Sequence, residues 1–210
     1  MRTGTHSAKL PARKARRLVP LPAFFALLAL LVLAGGLLRL FGGAADRAPA
    51  PIGGAFRLVS GNGRIITEKS FPGKYLLIYF GYTSCPDICP TALADIARTM
   101  DRLGPRATRV QTLFVTVDPA RDTPKLLKKY VAQFSPAIIG LTGSTAEIAQ
   151  VEKEYHVSVS VPSGQNRTGS REIDHTAALY LMAPDGRFIT AFRPDESSTA
   201  IAAAIGKIIS

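Results

Sequence analysis

Residues 74–90 read KYLLIYFGYTSCPDICP, an apolar run that leads directly into a turn carrying both cysteines of the chain. The run from Lys74 to Phe80 is mostly apolar, which is typical of a strand buried on both faces of a sheet. Pro90 suits the first position of a helix and so places Cys89 at a helix N-terminus, where free amides favour a thiolate, but Asp87 between the cysteines opposes it, so the sequence does not give the direction of the pKa shift. We therefore expect Cys85 and Cys89 on one exposed turn between a strand and a helix.

Strand and helix patterns alternate along the rest of the chain. A hairpin is predicted around residues 61–63, Gly-Asn-Gly, because Asn-Gly supplies the positive φ angles of tight turns. Apolar residues on one stripe from Leu93 to Leu103 predict the helix after the cysteines, and Ser144 with Glu147 predicts a capping box. The remaining patterns predict strands over 110–117, 177–182 and 188–192 and helices over 123–134 and 197–209. Such alternation implies an α/β fold with a central, largely parallel sheet.

Three polar segments are expected at one edge of this sheet. In open α/β sheets, ligands bind beyond the carboxyl ends of the strands. The cysteine turn follows the central strand, and Asp118 follows the next one along the chain. Asp174 and His175 lie at the entry to a late strand. These segments are therefore predicted to share one site.

The N-terminal part of the chain is predicted to be a membrane anchor. Residues 18–38 are uncharged and, as a helix, are long enough to span the roughly 30 Å of a bilayer core. The basic residues before them predict a cytoplasmic tail over residues 1–17, with the rest of the chain across the membrane. A linker over 39–53 then leads to one domain, residues 54–210. The alternative is a cleavable signal peptide with its cut near residues 42–45.

The net charge of +11 is concentrated before the domain. Residues 1–47 contain eight lysines and arginines and one acidic residue, which leaves 18 basic and 14 acidic residues for the rest of the chain. The basic tail is a topology signal and a contact for anionic lipids, whereas the charges of the domain are interspersed. We therefore expect no nucleic acid among the partners.

The cysteine pair is compatible with a disulfide or with a metal chelate. A structural disulfide across so short a loop would stabilise the fold by only about 2 kcal/mol. Two thiolates four residues apart, joined by an imidazole, suit Cu(I), Zn(II) or Cu(II). A structural zinc site normally takes four protein ligands with its cysteine pairs in duplicate, and this chain has no second pair.

The chain has three histidines that could complete such a site. His6 is predicted on the cytoplasmic side of the membrane, away from the cysteines. His156 follows a predicted helix end and is interpreted as an ordinary surface or edge residue. His175 lies at the mouth of a buried strand beside Asp174, and its expected position near the cysteine turn makes it the candidate third ligand.

Four segments together resemble the Sco/SenC family of membrane-anchored copper proteins. The match extends from about residue 54 to residue 210, with these segments in order, and is far more specific than a Cys-x3-Cys spacing alone. The segments are residues 80–90 around the cysteines, VDPARDTP at 117–124, IGLTG at 139–143 and DHTAALYL at 174–181.

The resemblance implies a thioredoxin-like fold, a three-layer sandwich with a central mixed sheet, preceded by one transmembrane helix. It implies one copper per chain, as Cu(I) or Cu(II), bound by Cys85, Cys89 and His175. The polar stretch 163–171 matches a mobile loop that would let His175 move on and off the metal.

Two carboxylates beside these residues are candidates for orienting the ligands. Asp118 is expected to orient His175 or a bound water, or else to cap the turn before Pro119. Asp174 is adjacent to His175 in sequence and is a candidate for the same role.

The resemblance also implies a function and a set of partners. The family assists assembly of the dinuclear copper centre of cytochrome c oxidase, by delivering copper, by reducing the cysteines of that centre, or both. The expected partners are the copper-bearing subunit of the oxidase and a copper donor protein. The expected location is the bacterial inner membrane, with the domain in the periplasm or on the equivalent extracytoplasmic side.

Two other functions use exposed thiols. A thiol-disulfide oxidoreductase would use Cys85 and Cys89 as a redox-active pair, but thioredoxins carry Cys-x-x-Cys and a proline before the facing strand, which residues 171–180 lack. A peroxide reductase needs a peroxidatic cysteine in a Pro-x3-Thr/Ser-x2-Cys setting, and nothing upstream of Cys85 supplies it. The oxidoreductase remains the alternative.

Overall fold

The computed structural model of the chain describes residues 21–41, 51–160 and 173–210. Residues 51–210 belong to one unit, and the N-terminal helix belongs to another. The predicted tail over residues 1–17, residues 42–50 of the predicted linker and the polar stretch 163–171 lie outside the described residues.

Seven strands form the main sheet of the domain. The strands of the described residues are β1 Arg57–Ser60, β2 Ile65–Thr67, β3 Tyr75–Gly81, β4 Val110–Thr116, β5 Ile139–Thr142, β6 Val159–Ser160, β7 Asp174–His175, β8 Leu179–Met182 and β9 Phe188–Phe192. The main sheet has the order β2-β1-β5-β4-β3-β8-β9, and β6 pairs with β7 apart from it. Strands β3, β4 and β5 are parallel to one another, whereas the outer strands are antiparallel to their neighbours. The sheet is therefore mixed, as the family resemblance predicted, rather than largely parallel.

Helices cover this sheet. They are α2 Ile88–Leu103, α3 Pro124–Val131, α4 Thr145–Glu154 and α5 Ser198–Ile208, with a 3-10 helix Gly104–Arg109 after α2. Helices α2 and α5 pack on each other, α3 packs on β5 and β1, and α4 packs on β1. Strand β3 is buried from Leu76 to Gly81, which requires cover on both faces of the sheet. This arrangement is the thioredoxin-like α/β fold.

The capping residues define the helix starts as predicted. The hydroxyls of Thr123, Ser144 and Ser197 each accept an amide from the first turn of α3, α4 and α5, and Ser144 forms a complete capping box with Glu147. Helix α3 is shorter than predicted and ends at Val131 rather than at residue 134. Ala132 caps the helix, and the amides of Gln133 and Phe134 make i to i+3 hydrogen bonds, so the helix does not continue.

Three short strands were not predicted from the sequence. Strand β5 has four residues, among them Gly140, and shows no clear alternation of apolar and polar residues. It nevertheless joins the parallel core to the hairpin of β1 and β2, because it pairs with both β4 and β1. Strands β6 and β7 have two residues each, which is too few for a periodic pattern.

The N-terminal unit contains helix α1, Leu21–Phe41. This helix extends through residues 39–41, which were assigned to the linker. Its apolar side chains from residue 27 to 33 include several that are highly exposed. Taken over the described residues, no helix combines the length and apolar character that crossing a membrane requires. The anchor over residues 18–38 therefore stays a prediction.

Candidate metal centre

The cysteine turn connects β3 directly to α2. Helix α2 begins at Ile88, so Cys89 is its second residue and Pro90 its third, rather than its first as predicted. The amide of Cys89 donates to Sγ of Cys85 at 3.3 Å, which places the Cys85 sulfur against the N-terminal turn of the helix. Cys85 is half-buried, but Cys89 has no exposed surface. The expectation that both thiols lie on an exposed turn was therefore wrong for Cys89.

The buried thiol of Cys89 lies in a space that the end of β3 provides. A Cβ atom on Gly81 would lie 2.8 Å from Sγ of Cys89 and 2.8 Å from Cε2 of Phe114, closer than packed carbons allow. The absence of a side chain at Gly81 therefore makes room for the sulfur. Two residues earlier on the same face of β3, the hydroxyl of Tyr79 donates to Sγ of Cys89 at 3.8 Å.

His175 reaches the cysteines from the second, smaller sheet. It pairs with Val159 in the β6–β7 ladder, and its Nε2 lies 3.7 Å from Sγ of Cys89. The rings of Tyr79 and Tyr82 meet the imidazole edge-on, with centroids 6.4 and 5.9 Å away. Its buried Nδ1 has no hydrogen-bond partner among the residues that the structure describes. The imidazole is thus directed at the thiols by packing rather than by a bond to its far nitrogen.

The two thiols differ in their affinity for protons. The pKa of Cys85 is lowered to about 4, because the thiol of Cys89, the His175 ring and the amides of Cys89 and Asp87 stabilise its thiolate against the opposing effect of burial. The pKa of Cys89 is raised by the adjacent Cys85 and by burial. At neutral pH the metal-free site therefore holds one thiolate, at Cys85, above one protonated thiol.

A cavity opens onto this thiolate. It has a volume of about 210 Å³, and its lining includes Cys85, His175, Asp174 and the half-exposed Ile88. Cys89 lies beneath it and is not part of the lining. A partner can therefore approach Cys85 and His175 directly, but reaches Cys89 only past them.

The spacing of these donors fits a shared soft metal ion. Two donors bound to one metal at about 2.0–2.3 Å lie about 3.5–4 Å apart, and the 3.7 Å between Cys89 and His175 falls in that range. Across the described residues, no group of three or more His, Cys, Asp or Glu side chains is already arranged around one metal position. The binding of one metal ion by Cys85, Cys89 and His175 stays a prediction.

A buried carboxylate that the sequence reasoning overlooked holds the turn in place. Asp122 has no exposed surface and accepts hydrogen bonds from the amide of Thr83 at 3.0 Å and from its hydroxyl at 2.5 Å. It also accepts the hydroxyl of Thr116, at the end of β4, at 2.6 Å. Asp122 thus ties the start of the cysteine turn to a core strand.

The predicted orienting carboxylates lie nearby with other contacts. Asp118 accepts a hydrogen bond from Nε of Arg121, and its own amide donates to the hydroxyl of Thr116 at 2.9 Å. Asp174 lies at the cavity opening and is exposed. Their action on His175 stays a prediction. His156, the other histidine of the described residues, is exposed and follows the cap residue of α4 in the left-handed conformation, with φ of 54°.

The sequence contained a usable signal for Tyr79 and Gly81, which were not predicted as site residues. Side chains two apart on a strand point to the same face, so Tyr79 and Gly81 both face the space that the following turn enters. Asp122 carried no such signal. It lies in the quoted VDPARDTP segment, but only the fold brings it next to a residue 39 positions away.

Comparison with known proteins matches residues 44–210 to the SCO1/SenC family. The chain belongs to the SCO1/SenC family. Among SCO1/SenC relatives, Protein sco1 of Schizosaccharomyces pombe is 40% identical over 157 residues, which cover 74% of this chain and 60% of that protein. Protein SCO1 homolog, mitochondrial, of Homo sapiens is 38% identical over 156 residues, covering 73% and 52%. The chain thus spans little more than half the length of these relatives.

A solved SCO1/SenC structure matches the domain closely. The structure of Bradyrhizobium japonicum ScoI with copper bound has a TM-score of 0.68 and 42% sequence identity, and it covers 74% of this chain and 98% of that one. The agreement supports the thioredoxin-like mixed sheet described above.

Proposed function

We propose that this chain is a copper-binding assembly factor that holds one copper ion per chain through Cys85, Cys89 and His175. The observation that carries the proposal is the 3.7 Å approach of His175 Nε2 to the buried sulfur of Cys89, next to the thiolate of Cys85. Two sulfurs and one imidazole are ligands that suit Cu(I) and, with the imidazole bound, Cu(II). The copper present in the related ScoI structure supports the same choice of metal.

The site is suited to releasing a copper ion as well as binding it. Cys85 is already a thiolate at neutral pH, so metal binding there requires no proton loss. Cys89 must lose its proton when it binds copper. Because Cys85 and His175 line the open cavity, an incoming thiolate from a partner can replace them one at a time while Cys89 still holds the ion.

We propose the copper-bearing subunit of cytochrome c oxidase as the acceptor and a separate copper protein as the donor. This part of the proposal rests on the Sco/SenC membership of the chain. We further propose that residues 18–38 anchor the chain in the bacterial inner membrane with its domain in the periplasm, a topology that the uncharged segment and the basic residues before it support.

The second candidate function is thiol-disulfide exchange, which the pKa difference between the cysteines favours. The thiolate of Cys85 would attack a disulfide sulfur of the target and release one target thiolate. Cys89, on losing its proton, would attack Cys85 and release the second target sulfur. The target then gains two electrons from the chain, one proton from Cys89 and one proton from solvent, and the chain ends with a Cys85–Cys89 disulfide.

An anaerobic Cu(I) titration of the reduced full chain against a competing chelator tests the first proposal. We expect one tightly bound copper per chain, with Cys85→Ser and Cys89→Ser each weakening binding strongly. His156→Ala is the matched control, because His156 is exposed and lies just after α4. This variant should leave copper binding unchanged. Tight binding that survives both cysteine substitutions would contradict the proposed site.

The two candidates are separated by testing the metal-free and the copper-loaded protein on one substrate, a peptide with an oxidised cysteine pair. A copper carrier should transfer copper to the reduced peptide and reduce the oxidised peptide slowly. Fast reduction by the metal-free protein, abolished by Cys85→Ser, would favour the oxidoreductase instead.

A further inference from the structure

One hydrogen bond joins the cysteine turn to the strand that carries His175. The amide of Ile173 donates to the hydroxyl oxygen of Tyr82 at 3.1 Å, and this bond is buried. Tyr82 is 1% exposed and Ile173 is 6% exposed, so water cannot readily replace either partner. Ile173 lies two residues before His175, and Tyr82 lies three residues before Cys85.

The ring of Tyr82 also contacts the histidine itself. The centroids of the Tyr82 and His175 rings are 5.9 Å apart, and the two planes meet at 83°. An edge-on contact of this kind restricts the imidazole to one side of the cavity. Tyr82 therefore holds both the backbone before His175 and the side chain of His175.

The cysteine side of this link is firmly anchored. The residue after Tyr82 is Thr83, whose amide and hydroxyl both bond to the buried carboxylate of Asp122. Asp122 in turn accepts the hydroxyl of Thr116 on β4. The turn that carries Tyr82 is thus bonded to the core of the sheet through its neighbour Thr83, and the hydroxyl of Tyr82 bonds that turn to the histidine strand.

Among the described residues, the histidine strand has few hydrogen bonds of its own. Strands β6 and β7 share only two residue pairs, and two further bonds link Ser158 and Thr176. A two-stranded ladder of this length is at best marginally stable in water. Additional contacts to the domain are therefore needed to hold the strand in place.

We propose that Tyr82 is a positioning residue that uses its hydroxyl to hold His175 beside the cysteine pair. The proposal rests on the proposed function, since it assigns His175 to the copper site. Without the hydroxyl, the amide of Ile173 is buried without a partner, and the histidine strand spends more time away from the thiols. Because the imidazole is the ligand that Cu(II) needs and the thiolates suffice for Cu(I), the loss should fall mainly on Cu(II).

The test compares Tyr82→Phe with Tyr155→Phe in the full chain. Tyr155 is an equally buried tyrosine that packs on Phe80 and Tyr180, away from the histidine. We expect Tyr82→Phe to weaken Cu(II) binding about three- to tenfold, the loss expected for one hydrogen bond, and to change Cu(I) binding less than about twofold. Tyr155→Phe should change neither affinity. Equal weakening of both copper states by Tyr82→Phe, or no weakening of either, would overturn the proposal.

A measurement on the metal-free protein tests the link without copper. Amide hydrogen exchange at Ile173 should be protected in the wild-type chain and about tenfold faster in Tyr82→Phe, while amides of β3 keep their rates. Unprotected exchange at Ile173 in the wild-type chain would overturn the proposal even if the variant did not fold. If the wild-type chain bound no copper, the proposed function would fail, and this exchange measurement would still decide whether Tyr82 holds the histidine strand.

Discussion

The cysteine turn and the histidine strand meet at one site. The turn follows a long strand of the main sheet, whereas the histidine strand belongs to a much smaller sheet. The turn follows β3, which pairs with β4 over seven residues and with β8 over four and is buried on both faces. The histidine lies on β7, a two-residue strand that, among the described residues, pairs with the two-residue β6. The two sulfurs therefore have a fixed position in the domain, whereas the imidazole is held by a small number of contacts.

This difference suits a protein that must bind a metal ion and then give it up. In the proposed function, the fixed sulfurs keep the ion in the domain, and the lightly held third ligand leaves when a partner approaches. The contacts of Tyr82 and Asp122 then determine how lightly the histidine strand is held, because they connect it to the core.

The largest expected difference between the two regions is in amide hydrogen exchange. Amides of β3 such as Ile78 should exchange only on global unfolding, whereas the amide of Thr176, bonded to Ser158, should exchange by local opening. We expect rates at least about 1,000-fold apart in the metal-free protein, measured by NMR or mass spectrometry, because global stabilities run to several kcal/mol. Comparable rates at the two sites would mean that the histidine strand is as firmly held as the central strand.

The second prediction concerns the carboxylate that fixes the turn. Asp122→Ala removes the acceptor of three hydrogen bonds and leaves a buried donor on Thr116 and two partly buried donors on Thr83, so the free energy of unfolding should fall by about 3 kcal/mol in urea denaturation. Asp118→Ala is the matched control, four residues away in the same segment. It loses only a partly exposed pair with Arg121, and should cost about 1 kcal/mol or less.

Equal losses of stability in these two variants would contradict the role assigned to Asp122. A loss confined to Asp118→Ala would instead favour the carboxylate that the sequence reasoning selected.

The third prediction concerns the pH dependence of alkylation at the half-buried thiol of Cys85. Only the thiolate reacts with iodoacetamide, and an ordinary thiol with a pKa of about 8.5 becomes nearly tenfold more reactive per pH unit below that value. The pKa of Cys85 is lowered to about 4, so its thiolate population is already complete well below pH 6 and its alkylation rate should be almost constant from pH 6 to 8.

Peptide mapping of the reduced, metal-free protein provides the internal control. Cys89 is buried and its pKa is raised, so it should remain unlabelled while the protein is folded. An alkylation rate at Cys85 that rises steeply between pH 6 and 8 would contradict the assignment of the thiolate.

The sequence predicted strand β3 and the cysteine turn better than it predicted the histidine strand. Strand β3 carries a continuous apolar run, and the capping residues Thr123 and Ser144 mark helix starts, so local chemistry was enough there. Strands β6 and β7 exist only because distant residues pair, and two residues carry no periodicity. The burial of Cys89 likewise depends on the side-chain-free Gly81 and on the following helix turn, which become neighbours only in the fold.

The site residues also divide into those that the sequence indicated and those that it did not. Cys85, Cys89 and His175 were chosen because their side chains bind metals, and the structure brings them together. Asp122 and Tyr82 act through hydrogen bonds to residues 39 and 91 positions away, so no local pattern indicated them as supports of the site.

The most direct test of this account is to measure Cu(I) and Cu(II) binding to His175→Ala in the full chain, with His156→Ala as the control. If two fixed sulfurs and one lightly held imidazole form the site, His175→Ala should weaken Cu(II) binding at least about tenfold, because it removes the nitrogen ligand that Cu(II) favours, and should retain one tightly bound Cu(I). His156→Ala should match the wild-type chain in both states. Unchanged binding of both Cu(I) and Cu(II) in His175→Ala would contradict the three-ligand site.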